Sequence, residues 1–439
     1  MKHPLMSRFS ERTEEMGMFC RSFLLHLKEQ CIVRAFLRLS AAILGLLIVG
    51  FVLLFAVASL PDARLASNIT AASKAEYFST NYPTYFFMRS LDMFTECIGI
   101  GMAKELQPTL QNILSASHFG ECEGLRAAVE NNFSSGARIY PRYIHGYQII
   151  LKSLYTFLPI EGVRIVTAAV SLLLLAALFF TARYRLGSAY ASLVVAPFLL
   201  FVRSPHVFLL VTHAVQFWVV LAGCIAALLH TKSNAPIVLF GLIGACDAFM
   251  SFLNMGSLSL GMPILCFCLA RWSDGSAPAL ILAQALWAGI AWSFGFLIPW
   301  CVKWGLVLAI LPTGTDIFGQ TLEIYPARSF GMIRKALFNN FKATRWQLWA
   351  GLFVLLAVRI RKYKTVIPQR LWVILFAALV PLVWVCLLPG QSGVSHSRFV
   401  HIIVLPLLTS VLCLLVALPP KAESLKPLIR RGHERPKFS

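Results

Sequence analysis

Ten stretches of this chain are apolar over lengths approaching the roughly 20 residues that a helix needs to cross a bilayer, and that repetition dictates most of what it can fold into. They run over residues 39–60, 163–180, 187–202, 206–229, 235–254, 255–270, 277–300, 346–358, 371–388 and 399–418. With 58% hydrophobic and only 13% charged residues, and a mean hydropathy of +0.72, no water-soluble domain is on offer. The expected fold class is an all-α polytopic membrane protein of about ten transmembrane helices. One interval is ambiguous: Lys303 and the short run 304–311 read either as a re-entrant piece or as an eleventh span.

Orientation follows from where Lys and Arg fall in the short connections, because cytoplasmic loops retain them. Seven basic side chains, from Lys2 to Arg38, precede the first span. With ten spans, Arg183 and Arg185, Lys232, Arg271, the group Arg359, Arg361, Lys362 and Lys364, and the basic tail 420–439 all share that side; an eleventh span would put the Arg359 group outside. Both termini are therefore expected in the cytoplasm: a basic head over 1–38, a transmembrane domain over 39–419, and the tail, in a multi-pass protein of the cell membrane. The net charge of +20 is spread along these edges and forms no basic domain, which points to anionic membrane lipids and not to nucleic acid. The first span lies too far behind its head, and lacks a small-residue cleavage site, to be a removed signal; it reads as an anchor in a bacterial inner membrane.

Three segments are left on the outer face: a large loop over 61–162 directly after the first helix, a second over 312–345 and a short one over 389–398. Eight of the nineteen carboxylates lie between Asp62 and Glu130, and Leu106, Leu110, Ile113 and Leu114 recur at helical spacing. Chemistry collects in such loops because ionisable groups on a lipid face are costly. Cys97 and Cys122, of eleven cysteines, are the two in the large loop, and an oxidising outer face would join them. Two glycosylation tripeptides, at Asn68 and Asn132, also fall there.

Three outer constellations carry candidate chemistry. Asp92 and Glu96, four residues apart, would share a helix face, suiting a divalent ion or a general base; the plainer reading is a solvated acid pair beside Arg89. Residues 138–147 gather Arg138, Tyr140, Arg142, Tyr143, His145 and Tyr147, a set that suits phosphate and sugar recognition, or simply an aromatic belt with snorkelling arginines. His396 and Arg398 stand just before the last span and His401 at its start, either as diphosphate contacts or as hydrated loop residues.

On these residues the chain resembles the GT-C superfamily of integral-membrane glycosyltransferases, and more narrowly the bacterial GT-C-like proteins of surface-polysaccharide assembly. Their first loop carries Asp-Asn-(Phe/Tyr)-Thr-Asp, to which 92–96 is similar with Met93 and Glu96 as replacements. Their Arg-Tyr-(aromatic)-His-Gly-Tyr stretch resembles 142–147, with Ile144 at the aromatic place, and a late His-Ser…His resembles His396, Ser397 and His401. A mid-chain Phe-Asp-Phe-Leu-Thr has Ser251 where the acid is expected, with Asp247 one turn earlier as a substitute, and the Tyr-Arg that ends the late histidine motif is missing.

The resemblance implies transfer of a sugar from a polyprenyl-phosphate-linked donor to a cell-envelope glycan or lipid acceptor on the extracytoplasmic face. Asp92 would be the general base, and Glu96 would orient it or hold Mg2+ or Mn2+. The leaving phosphate and the sugar would meet Arg142, Tyr143, His145, Tyr147, Arg328, Arg345, His396 and His401. Two rivals share the architecture: a lipid-linked glycan flippase or transporter, and a catalytically inactive scaffold of a polysaccharide-assembly machine.

Overall fold

The computed structural model describes residues 30–78, 93–134, 136–200, 206–230, 236–251 and 256–312, together with scattered single residues beyond 312. Almost everything described is helical. In chain order the helices are α1 (Gln30–Ala58), α2 (Asp62–Lys74), α3 (Met93–Glu105), α4 (Leu110–Ser115), α5 (Cys122–Glu130), α6 (Gln148–Phe157), α7 (Ile160–Leu186), α8 (Ser188–Leu200), α9 (His206–Leu209), α10 (Val211–Leu229), α11 (Pro236–Met250), α12 (Gly256–Ser273) and α13 (Pro278–Ile310).

Four of these helices, in α1, α7, α10 and α13, are long and apolar enough to cross a membrane, and α8, α11 and α12 are shorter and apolar. The first seven expected spans thus fall on described helices; those expected at 346–358, 371–388 and 399–418 lie outside the described residues, apart from isolated positions. The first helix shows the division expected of a lipid-facing element. Leu39, Ile43, Leu47 and Leu54 are buried against the bundle at helical intervals, while Val33, Leu37, Leu44, Ile48 and Val52 remain exposed on the opposite side.

Two sequence expectations change in detail. The ambiguous interval is one unbroken helix: α13 continues through Lys303 and Trp304 for 33 residues, about 50 Å, which is longer than the hydrocarbon core. Conversely, the single span expected over 206–229 is interrupted at Leu210, whose φ of −101° and ψ of 123° are extended, so that α9 and α10 are separate helices. In the large loop, the helical spacing from Leu106 to Leu114 is likewise broken. Thr109 turns the chain and its hydroxyl caps α4 by accepting from the Asn112 amide at 3.2 Å. Leu106 therefore belongs to the turn that leaves α3.

Within the bundle α11 and α13 approach most closely. A Cβ on Gly295 would overlap the Gly241 carbonyl, and one on Gly244 would overlap that of Trp292, so small residues on both helices set the backbone separation. Helices α2 to α6 form a folded unit on the side where α1 ends. Leu65, Ile69, Phe78, Ile100, Leu125 and Tyr155 belong to the same buried core as α7, α10 and α12. Cys97 and Cys122 are disulfide-bonded, with Cα atoms 5.1 Å apart, which fastens α3 to α5.

Candidate functional site

The segment between α5 and α6 carries the arginine–aromatic stretch, and the helices around it fix its path. Gly146 donates its amide to the Phe249 carbonyl of α11 at 2.8 Å, and a Cβ at Gly146 would overlap the Phe249 ring. Only glycine lets the segment lie this close to the bundle. From α13, the Trp304 indole donates to the Arg142 carbonyl at 3.1 Å, and the Lys303 ammonium donates to the Leu114 carbonyl at 2.7 Å and that of Ile113 at 3.4 Å. That ammonium caps the last turn of α4, where carbonyls lack intrahelical partners.

Inside this clamp the rings form a continuous cluster. Tyr140, Tyr143 and His145 lie mutually 5.6 to 5.7 Å apart by ring centroid, His145 reaches Tyr147 at 5.7 Å, and Tyr143 reaches Trp300 of α13 at 5.5 Å. The Arg142 guanidinium lies over the Tyr140 and Tyr143 rings at 5.5 and 5.9 Å. Tyr143, His145 and Tyr147 are buried, whereas Arg142 is partly exposed. An aromatic belt would turn its rings outward; these rings turn inward and support an arginine at the rim.

His145 is held in the left-handed region, with φ of 61°, which a non-glycine residue adopts at a cost. Its Nε2 lies 3.1 Å from the Tyr140 carbonyl, which can only accept, so Nε2 carries the hydrogen and Nδ1 presents a lone pair, 3.3 Å from the Tyr147 hydroxyl. Burial, with the Lys303 charge adding to it, holds the imidazole well below its ordinary pKa and hence neutral. Burial also raises the Tyr143 and Tyr147 phenols, and desolvation lowers the pKa of His118, whose ring contacts Tyr140. Beside His145 is a cavity of about 10 Å³, the size for a single water, lined by Leu54, Met102, Asn112, Ser117 and Gln148 among others. The Gln148 amide nitrogen donates to the Gly99 carbonyl at 2.9 Å, which fixes that side chain in the cavity wall.

Glu96 is fully buried and its two oxygens are fully engaged. Oε1 accepts from the Tyr155 hydroxyl at 3.0 Å and the Val211 amide at 3.2 Å; Oε2 accepts from the Thr212 amide at 3.1 Å and the Thr212 hydroxyl at 2.7 Å. A carboxylate at a helix N-terminus meets unpaired amides and the positive end of the helix dipole. Here it explains the break at Leu210, because it takes the hydrogens that a continuous helix would spend on carbonyls of α9. With four donors in place, Glu96 offers no open lone pair for Mg2+ or Mn2+, and no step is assigned through a metal.

Lys152 is a second tie. Fully buried, it pairs with Asp62 at 3.0 Å and donates to the Leu106 and Ala58 carbonyls at 2.7 and 3.3 Å, joining the ends of α1 and α3 to the start of α2. Asn68 ends α6 in a similar way, its amide donating to the Tyr155 and Leu158 carbonyls at 2.8 and 3.3 Å.

Arg142, Tyr143, His145 and Tyr147 are thus brought together, and burial first, with the nearby Glu96 charge adding to it, raises the Tyr147 and Tyr155 phenols. Asp92, Arg328, Arg345, His396 and His401 lie outside the described residues. Tyr155, Thr212, Lys152 and Lys303 had no sequence signal: each partner is a backbone group or lies far away in the chain. Comparison with protein families, curated proteins and solved structures finds no match. The site's own chemistry is therefore what any functional reading stands on.

Proposed function

We propose that this protein is an integral-membrane glycosyltransferase of GT-C type, moving a sugar from a polyprenyl-phosphate-linked donor to a cell-envelope glycan or lipid acceptor on the extracytoplasmic face. The observation that carries the reading is the partly exposed Arg142, backed by buried rings and clamped to α13 where the folded loop meets the bundle. A guanidinium so supported suits a phosphate at the membrane surface, with the lipid tail among the helices. In this reading there are ten spans with both termini cytoplasmic. The acceptor oxygen attacks the anomeric carbon, the phosphate departs with the bonding electrons, and Asp92 takes the acceptor's proton. Arg142, with Arg328, Arg345, His396 and His401, offsets charge on the leaving phosphate. Glu96 serves by holding α3 and α10 in register.

The test is transfer of labelled sugar from purified polyprenyl-phosphate donors to extracted envelope glycan, with protein in native-like membranes. Transfer by the native chain, abolished in Asp92→Asn and reduced at least tenfold in Arg142→Ala at equal expression, is the expected result. No transfer from any donor, with a normal envelope in the Asp92→Asn strain, overturns it. One observation favours a transporter instead: within the bundle, Oδ1 of Asp247 and both amide atoms of Gln216 are buried without partners among the described residues. A transporter would move lipid-linked glycan across sealed vesicles without forming a new glycosidic bond.

A further inference from the structure

Asp247 of α11 is fully buried among apolar helices, and its hydrogen bonds form a chain that the proposed transferase chemistry does not use. Its Oδ2 lies 2.9 Å from the Ser259 hydroxyl of α12; that hydroxyl is also 3.0 Å from the Gly256 carbonyl, and the Trp292 indole of α13 donates to it at 3.2 Å. The Ser259 hydroxyl has one hydrogen for two acceptors. With Asp247 ionised, that hydrogen goes to Oδ2, the Gly256 carbonyl loses it, and Oδ1 keeps its charge with no donor among the described residues. With Asp247 protonated on Oδ2, the acid donates to Ser259 while the serine donates to Gly256, and the indole fills the serine's second lone pair. The neutral form therefore lets the serine hydroxyl bond to the Gly256 carbonyl as well and buries no charge, which favours it in a membrane interior.

No charged neighbour among the described residues reverses this. Cys246 is beside Asp247 on its own helix. Helix α1 meets α11 between Leu39 at Gly241 and Gly50 at Phe249, with nothing ionisable between those two residues. Helix α10 brings His213 and Cys224, and α12 brings Cys266, Cys268 and, at its far end, Arg271, which bonds to Gln284. Helix α13 brings Lys303, whose ammonium is spent on α4, and the exposed Cys301. None of these forms an ion pair with Asp247; the two ion pairs among the described residues are Lys152–Asp62 and Arg185–Asp274.

We propose that Asp247 is a proton-binding site of the membrane bundle, with the Ser259 hydroxyl as the switch that turns from Oδ2 to the Gly256 carbonyl when the proton binds. The balance is simple: a proton from water adds to the carboxylate, one O–H bond forms, and no other covalent bond changes. The reorganised hydroxyl then back-bonds to the first turn of α12.

The test is infrared difference spectroscopy of the purified full chain in lipid nanodiscs, titrated over the pH range in which it stays folded. The expected result is a carboxylic-acid C=O band that grows on acidification as a single-proton step and is lost in Asp247→Asn, a near-isostere of the neutral form. In Ser259→Ala the band persists and titrates at higher pH, because the ionised form has lost its one donor. A band untouched by Asp247→Asn, no titrating band, or a Ser259→Ala midpoint that stays or falls overturns the proposal. If Asp247→Asn fails to accumulate, the Ser259→Ala shift alone decides.

Discussion

Replacing Glu96 by Gln separates a tie between elements from a group that does chemistry. The substitution keeps Oε1, so the Tyr155 hydroxyl and the Val211 amide retain their acceptor. It puts an NH2 where Oε2 accepts from the Thr212 amide and hydroxyl. The hydroxyl can rotate and accept from the new amide; the Thr212 N–H cannot, and stays buried and unpaired at a cost of about 1–3 kcal/mol. Loss of the negative charge from the N-terminus of α10 adds about 1 kcal/mol, giving a total of about 2–4 kcal/mol. Glu96→Ala removes the acceptor of all four donors and costs more. The assay is reversible unfolding in mixed micelles, followed by helicity, alongside sugar transfer. The expected result is destabilisation of that size, with transfer per folded molecule within about threefold of native, a difference below about 1 kcal/mol in barrier. Unchanged stability with transfer abolished refutes the reasoning and returns Glu96 to the chemistry.

Other perturbations test neighbouring parts. Gly146→Ala places a Cβ 2.7 Å from the Phe249 carbonyl and into its ring, so it should cost at least about 1–3 kcal/mol and expose the segment to limited proteolysis. His145 and His118 both have pKa values lowered by burial; the unfolded chain then binds more protons, so their stabilisation is full above about pH 6.5 and is lost as pH falls, by about 1.4 kcal/mol per pH unit for each proton. His145→Asn, which tolerates the left-handed backbone, should flatten the acid limb of a stability–pH curve; an unchanged limb would remove His145 from the account. Reducing Cys97–Cys122, or Cys122→Ser, reopens a loop with a sequence separation of 25, worth about 3.5 kcal/mol by chain entropy. Equal stability in reducing and oxidising buffer would contradict it.

The apolar runs were legible because a membrane helix must satisfy its backbone internally and bury or grease its side chains, so length and composition alone reveal it. The break at Leu210 was not, since the acid that causes it lies 115 residues upstream of the amide it caps. The cysteine pair could be read because both residues fall in the one long segment between the first two apolar runs. Lys152 could not, because two of its three partners are carbonyls, which every residue has. Residues 142–147 stood out by composition, yet their spacing gave no sign that the rings face inward and leave the arginine at the edge. That depends on Gly146 meeting Phe249, a contact between distant segments.

The Cys97–Cys122 bond also has a consequence for biogenesis. Cys97 is the residue after Glu96, and both cysteines leave the ribosome well before Val211 and Thr212. Oxidation of the pair can therefore set the carboxylate in place while the helix it will receive is still being synthesised. When α10 arrives, its exposed amides meet a finished acceptor. A chain made under reducing conditions would present that helix before its receptor exists, so the redox state met during synthesis would govern the fidelity of assembly.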